Sequence, residues 1–235
     1  MSETSKTVTL AMTTLEALRA GGPLTLSDLS RRIGASRSAV SRVLMSMEGP
    51  GLVRRDAGAF SLGTGFLRFA ANIVPELREA ATPVLRRLAN EVAATASLAV
   101  RAGDEATVIE QATPDGAGVA LRYRPGAGGP LTRGALGRAM LAEVAAIHLP
   151  GVPSELVADL ADIARVGFAV VPHDGFPGVT EVAAAVVDGS RHPIAAVGVI
   201  APTPRFADPM DAARAVVAAA ADISAAMGYF RAASP

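Results

Sequence analysis

Two arginines and two serines stand at the start of a predicted helix, at a spacing that turns them away from its apolar side. They are Arg37, Ser38, Ser41 and Arg42. Arginine can form a fork of two hydrogen bonds with guanine, and serine can bond a base edge or a phosphate. Residues near the N-terminal end of such a helix reach base edges when it lies in the major groove. Each arginine alone is better explained as a solvated side chain, but the set predicts DNA contact when its neighbours are considered.

The elements before this helix form the pattern of a helix-turn-helix. Thr25 and Asp28 have the spacing of a helix start, where each side chain can satisfy a free backbone N–H. Apolar residues then recur at the helical interval over Leu26–Ile33. Gly34 provides a left-handed exit, and the second helix is predicted over Arg37–Glu48. The inward side of that second helix consists of Val40, Val43, Leu44 and Met47.

Two short strands are predicted immediately after the second helix, over residues 52–56 and 59–62, around the turn Ala57-Gly58. An ordinary hairpin would explain their apolar residues equally well, but its position after a helix-turn-helix favours a DNA-binding wing. Arg54 and Arg55 would then lie near the sugar-phosphate backbone, where positive charge adds affinity without reading sequence. The predicted DNA-binding residues are Ser36, Arg37, Ser38, Ser41, Arg42, Arg54 and Arg55.

Composition narrows the class of protein. The chain has 235 residues, half of them hydrophobic, and no cysteine, which excludes disulfides, thiolate metal sites and cysteine nucleophiles. The net charge is zero, yet residues 1–70 hold nine basic and five acidic side chains, a net +4, and the remainder is −4. This asymmetry fits a basic DNA-reading head on a more acidic body. The polar N-terminus and the lack of a long apolar run predict a cytoplasmic protein.

The rest of the chain predicts a second domain. We expect the DNA-binding domain at 1–63, a helical linker at 64–82 and an effector-binding and oligomerisation domain at 83–235, with Thr82-Pro83 starting a helix. Residues 124–130 are predicted as a loop, and the helix that follows, at 131–146, is predicted to be capped by Thr132. Strands joined by turns and interrupted by helices predict an α+β fold with an antiparallel sheet. The strands are predicted at 97–102, 106–111, 118–123, 168–171, 179–187 and 194–200, and further helices at 154–165 and 208–230.

Several segments together resemble the IclR family of bacterial transcription regulators. Residues 29–44 (LSRRIGASRSAVSRVL) are similar to its recognition motif, and 51–55 (GLVRR) with 60–63 (FSLG) to its wing. Residues 135–142 (ALGRAMLA) and 167–170 (GFAV) resemble motifs of its effector domain. The resemblance implies an effector-sensing regulator with a GAF-like C-terminal domain, usually a dimer or tetramer on a partly palindromic operator.

The resemblance also implies an effector site. Several family members bind small organic acids through backbone N–H groups at the start of the helix after Pro130-Leu131, together with polar side chains from the sheet. Here Thr132 replaces the usual His, Val171 stands where an acidic residue is frequent, and Glu181 stands where many members have Cys. The effector-binding positions implied for this chain are Thr132, Arg133, Ala135, Leu136, Val171, Glu181, Gly198 and Ile200.

These departures change the expected effector. The helix N-terminus at 132–136 can still hold an anion through its free N–H groups and dipole. Glu181 would repel a carboxylate unless Arg133 or Arg122 compensates. The sequence therefore predicts an effector less polar than a simple keto acid, a cationic effector, or a pocket that has lost its ligand.

Other signals do not support an enzyme. The glycines at 126–129 lack the ending of a phosphate-binding loop, and the three histidines have no metal-ligand spacing. We therefore predict no catalytic residues, no metal and no cofactor. Two alternatives remain open at this stage: a ligand-binding protein whose helix-turn-helix serves protein interaction, and an enzyme with a vestigial DNA-binding domain.

Overall fold

The computed structural model describes residues 5–70, 72–116, 120–124, 126–144, 152–206 and 208–229. The chain divides into two compact units, Met1–Pro75 and Glu76–Pro235. The predicted linker, 64–82, includes the helix α4 (Gly65–Ala70) and the first part of α5 (Pro75–Val92). The division into domains at 1–63, 64–82 and 83–235 stays a prediction.

Three helices form the N-terminal unit: α1 (Lys6–Gly21), α2 (Leu26–Ile33) and α3 (Arg37–Glu48). The Thr25 hydroxyl accepts a hydrogen bond from the Asp28 backbone N–H at 3.2 Å, which fixes the start of α2. Gly34 has φ +67° and ends that helix in the left-handed conformation. The predicted helix-turn-helix is therefore confirmed, around a shared core that includes Leu18, Leu29, Val40, Val43, Leu44 and Met47.

The wing is a three-stranded antiparallel sheet. It consists of β1 (Leu24–Thr25), β2 (Val53–Asp56) and β3 (Ala59–Leu62), in the order β1-β3-β2. The turn residues Ala57 and Gly58 both have positive φ, as the tightest hairpins require. Val53 and Phe60 are buried and attach the wing to the helical core.

The C-terminal unit is an α+β fold built on one antiparallel sheet, as predicted. The sheet order is β6-β5-β4-β9-β8-β7. Its strands are β4 (Thr95–Ala102), β5 (Glu105–Ala112), β6 (Gly128–Pro130), β7 (Ala169–Pro172), β8 (Val179–Val187) and β9 (Pro193–Pro202). Its helices are α5, α6 (Gly134–Val144), α7 (Ser154–Val166) and α8 (Pro209–Ala226), with a 3₁₀ turn at Thr203–Arg205.

The central strands are buried on both faces, so their side chains alternate between two cores. One core joins α5 and α8 to the sheet through residues such as Leu98, Val182 and Val197. The other joins α6 and α7 to the opposite face through residues such as Ala183 and Ala196. A helix layer on each face explains the nearly continuous apolar sequences of β8 and β9.

The predicted helix start at Thr82-Pro83 is wrong. Pro83 lies inside α5, and the Thr82 hydroxyl donates to the Arg78 carbonyl instead of capping a helix. Proline within a helix removes one backbone hydrogen bond and is normally unfavourable. Here the buried residues Ala81 and Val84 lie on either side of Pro83, so packing of α5 on the sheet outweighs that local cost.

The segment between β5 and α6 also differs from the prediction. Residues 120–124 form no strand, and residues 117–119 lie outside the described residues, whereas Gly128–Pro130 pairs with β5. Two side-chain hydrogen bonds to backbone carbonyls hold 120–124: the Thr95 hydroxyl to Leu121 and Gln111 Nε2 to Tyr123 at 2.9 Å. The predicted cap Thr132 is wrong too, because α6 begins at Gly134.

Candidate DNA-binding surface and effector pocket

The start of α3 carries most of the predicted base-reading residues on the surface of the N-terminal unit. Ser36, Arg37, Ser38 and Arg42 are exposed, while Ser41 is half-buried. The Ser36 hydroxyl accepts a hydrogen bond from the Ala39 backbone N–H at 3.3 Å, so it also caps the helix. This surface can donate and accept hydrogen bonds in the way that base edges and phosphates require.

The arginines of this unit differ in what they contact. Arg19 and Arg31 each pair with an acidic residue of the same helix, and the Arg37 guanidinium donates to the Ser27 hydroxyl. Among the described residues, Arg42 and Arg54 have no carboxylate within 4 Å. The positive charge that is free of a carboxylate partner therefore includes the middle of α3 and the wing.

The wing arginines lie on β2, and both are exposed. The Arg55 guanidinium is 5.4 Å from the centre of the Phe60 ring, a cation–π arrangement that keeps the side chain against the hairpin. Arg54 lies on the neighbouring position, opposite Ser61 of β3. These two side chains can supply positive charge beside a helix that occupies a groove.

The register of the C-terminal sheet brings several predicted effector-binding residues together. Glu181 on β8 lies opposite Val171 of β7 on one side and Ile200 of β9 on the other. Two residues before Ile200 on β9, Gly198 lies opposite Ser97 of β4. The first turn of α6 covers this area, and a pocket forms there between Ser97, Tyr123, Ala135, Leu136, Glu181, Val182, Gly198 and Val199.

Glu181 is the charged centre of this pocket, although only 5% of its surface is exposed. Its Oε2 accepts a hydrogen bond from the Ala135 backbone N–H at 2.8 Å, at the start of α6. Its Oε1 accepts one from the Tyr123 hydroxyl and lies 3.4 Å from His173 Nε2. Burial, together with the charge and the hydrogen bond of Glu181, raises the pKa of Tyr123 far above its ordinary value. The phenol therefore stays protonated and acts as a donor.

Two glycines allow α6 to approach the sheet this closely. Gly134 has φ +64°, and a Cβ there would lie 2.8 Å from Glu181 Oε2. A Cβ at Gly198 would lie 2.7 Å from the Val182 carbonyl oxygen and 3.1 Å from a methyl of Leu136. Both positions therefore require glycine for the observed packing.

The other predicted effector residues lie outside the pocket lining. Thr132 is half-buried, and its carbonyl accepts a hydrogen bond from Arg138. Arg133 is exposed and lies 4.0 Å from Asp174, and Arg122 donates to Thr113. Within the described part of the chain, neither arginine forms an ion pair with Glu181, so the compensation considered from the sequence is not seen. Instead, the backbone N–H of Ala135 donates a hydrogen bond to the Glu181 carboxylate.

Three polar residues in or beside the pocket are not among the predicted effector-binding residues: Ser97, Tyr123 and His173. The sequence pattern predicts Tyr123 and Ser97 on strands, and it gives His173 no metal-ligand spacing. Ser97 gave a signal that was available, because it is a polar side chain between the apolar residues Ala96 and Leu98 of β4. Tyr123 and His173 gave none, since only the fold brings their rings to 6.1 Å of each other beside Glu181.

Two other kinds of site are absent from the ranges that the structure describes. No group of three histidines or carboxylates there could hold a metal ion. No helix among those same residues is long and apolar enough to cross a membrane.

Comparison with known proteins identifies the family. The model of the IclR helix-turn-helix domain matches residues 7–57, and that of the bacterial transcriptional regulator IclR C-terminal domain matches 71–149. The HTH-type transcriptional regulator BhcR of Paracoccus denitrificans is 28% identical, over 92% of this chain and 85% of its own.

Solved structures of IclR regulators have the same fold as this chain. An IclR transcriptional regulator from Alicyclobacillus acidocaldarius has a TM-score of 0.81 and 25% identity, covering 96% of this chain and 100% of its own. An IclR homologue from Microbacterium hydrocarbonoxydans, solved with 4-hydroxybenzoate, shares the fold with a TM-score of 0.78 at 23% identity, over 95% of this chain and 99% of its own. The chain therefore belongs to the IclR family and is a DNA-binding transcription regulator rather than an enzyme.

Proposed function

We propose that this regulator reads its operator with α3 in the major groove and holds the flanking backbone with the wing. The observation that carries the proposal is the exposed start of α3, which the Ser36 cap stabilises. The side chains of Arg37, Ser38 and Arg42 are exposed there and accessible to DNA. Arg37 would exchange its bond to Ser27 for a bond to a base. Arg54 and Arg55 would contact phosphates of the backbone that flanks the groove.

The operator contacts predict different losses for different arginines. Arg37→Ala or Arg42→Ala should cost about 1–3 kcal/mol of binding and relax one operator position. Arg54→Ala should weaken binding to all sequences alike and reduce the slope of log affinity against log salt by about 1. Arg165→Ala is the matched control, because Arg165 lies on α7 in the other unit and pairs there with Asp162. Equal losses on operator and random DNA for Arg42→Ala would contradict base reading.

The direct test of DNA binding is fluorescence anisotropy with DNA from upstream of the gene and its neighbours, across a salt series, with random duplex as the control. Tight binding to one fragment with a steep salt slope is expected. Selection from a random DNA library then defines the operator. Failure to enrich any sequence, with no salt-dependent affinity, would favour a helix-turn-helix that serves protein interaction.

We further propose that two copies bind together, so that two copies of α3 meet half-sites about one helical turn apart on a partly palindromic operator. Exposed apolar side chains on and after α4 support a second copy: Leu67, Phe69 and Ile73. Dimers, or tetramers made from them, are expected in analytical ultracentrifugation. A monomer at micromolar concentration would contradict this part of the proposal.

Operator affinity is under the control of a small-molecule effector, and we place that control at the pocket beneath α6. A ligand changes operator affinity only if it binds the DNA-competent and incompetent arrangements unequally, typically by about 1–3 kcal/mol. Because Glu181 puts a negative charge in the pocket, we expect this pocket to take an effector less polar than a simple keto acid, to take a cationic effector, or to have lost its ligand. Micromolar binding of glyoxylate or pyruvate to the unmodified protein in calorimetry would contradict that expectation.

A further inference from the structure

We propose that Glu181 is an internal ligand, whose carboxylate fills a small-anion site at the start of α6. The site would otherwise accept the carboxylate of a free molecule. Any effect of this site on operator binding rests on the proposed effector control. The existence of the site does not depend on that proposal. When Glu181 is removed, the site takes a small carboxylate.

The contacts of Glu181 are those expected of a bound anion. The 11-residue helix α6 directs the Ala135 N–H at one carboxylate oxygen, 2.8 Å away, and the positive end of its dipole adds attraction. The other oxygen receives the Tyr123 hydroxyl and faces His173. A carboxylate with 5% exposure would be costly without these donors.

A second observation points independently to a ligand. The Ser97 hydroxyl lines the same pocket, is 2% exposed as a residue, and has no hydrogen-bond partner among the described residues. The Gln111 side-chain oxygen, opposite Ser97 on β5, is also buried and unpaired there. Buried polar groups are rarely left without a partner. The pocket therefore has hydrogen-bonding capacity that Glu181 does not use.

The size of the side chain defines the ligand that would replace it. Between the described residues that line the pocket there is no room for a water molecule, so Glu181 fills the site. Glu181→Ala removes one methylene and the carboxylate, which together correspond to acetate. Glu181→Gln keeps the volume and removes only the charge, so it creates no such space.

The test is titration of E181A with acetate by calorimetry and thermal unfolding, with ionic strength matched by chloride. Acetate at ten times its Kd should raise Tm by about 3–6 °C. E181Q and the wild type should show no such rise, and neither should E105A, which removes an exposed carboxylate of β5. Methylammonium should have no effect on E181A, because the donors around the site select an anion.

Acetate binding by E181A no tighter than by E181Q would overturn the inference. If E181A does not fold, E181S serves instead, because its hydroxyl replaces the methylene and leaves a space the size of formate. A lack of formate-dependent stabilisation in E181S would then count against the proposal.

Operator binding provides a separate outcome. E181A should change its operator affinity when acetate is added, by about 5-fold or more, whereas the wild type should not respond. Acetate binding without that response would keep the internal-ligand site and reject its place in effector control. A response to acetate in the wild type equal to that in E181A would overturn the inference.

Discussion

Removing the hydroxyl of Tyr123 should destabilise the C-terminal unit because it leaves a buried carboxylate short of one donor. In Tyr123→Phe, the Glu181 oxygen Oε1 would keep only His173, which lies 3.4 Å away, while Oε2 keeps the Ala135 N–H. A hydrogen bond to a charged group contributes about 1.5–3 kcal/mol. We expect a loss in that range.

The assay is urea unfolding followed by far-UV circular dichroism. Leu44→Ala, in the core of the N-terminal unit, identifies which transition belongs to which unit. Tyr229→Phe is the matched control, since the Tyr229 hydroxyl has no hydrogen-bond partner among the described residues. It should change the free energy of unfolding by less than about 0.5 kcal/mol.

A double-mutant cycle with Glu181→Gln separates the bond from general loss of packing. In the Glu181→Gln background the pocket holds no carboxylate charge, so Tyr123→Phe should cost at least about 1 kcal/mol less than in the wild type. An equal cost in both backgrounds would refute the reasoning, and so would a loss below about 0.5 kcal/mol in the wild type.

Three further outcomes follow from other contacts. Gly134→Ala should cost at least about 1–2 kcal/mol of unfolding free energy, because φ is +64° and the new Cβ would lie 2.8 Å from Glu181 Oε2; a neutral effect in urea unfolding would contradict it. The Thr25 hydroxyl lowers the pKa of Asp28, so the stability that Asp28 contributes is present above the ordinary Asp pKa and is lost as pH falls through the lowered value. Asp28→Asn should therefore show a weaker loss of stability on acidification, and an unchanged pH profile of unfolding would argue against this. Leu44→Ala, at a fully buried site, should cost about 2–5 kcal/mol in urea unfolding, and a loss under about 1 kcal/mol would contradict the packing described.

Local signals were sufficient to predict the helix-turn-helix. The helix limits are set by contacts within four residues. Thr25 caps the start of α2, Gly34 ends α2 in the left-handed conformation, and Ser36 caps the start of α3. The strand over Val179–Val187 was predicted with its observed limits because turn residues stand at both ends. These features depend on short-range chemistry, which a sequence displays directly.

Features decided by distant contacts could not be predicted in this way. Pro83 has the local signature of a helix start, yet packing of α5 on the sheet carries the helix through it. Glu181 was expected to repel an anion near the helix start, and the structure instead makes its carboxylate the group that the helix binds. The partners that permit this, Tyr123 and His173, are 58 and 8 positions away along the chain.

The alternation of side chains along β4, β8 and β9 has a mechanical consequence. Glu181 faces α6 while Val182, the next residue, packs in the core shared with α5; Ser97 and Leu98 repeat this relation on β4. The pocket and the helix that leads from the N-terminal unit are thus separated by the thickness of a single strand. A displacement of β4 or β8 would move side chains on the α6 face and on the α5 face of the sheet together. No chain of intervening side chains is needed to connect the two faces. We therefore expect that residues adjacent in sequence, rather than a long path through the protein, couple the two faces.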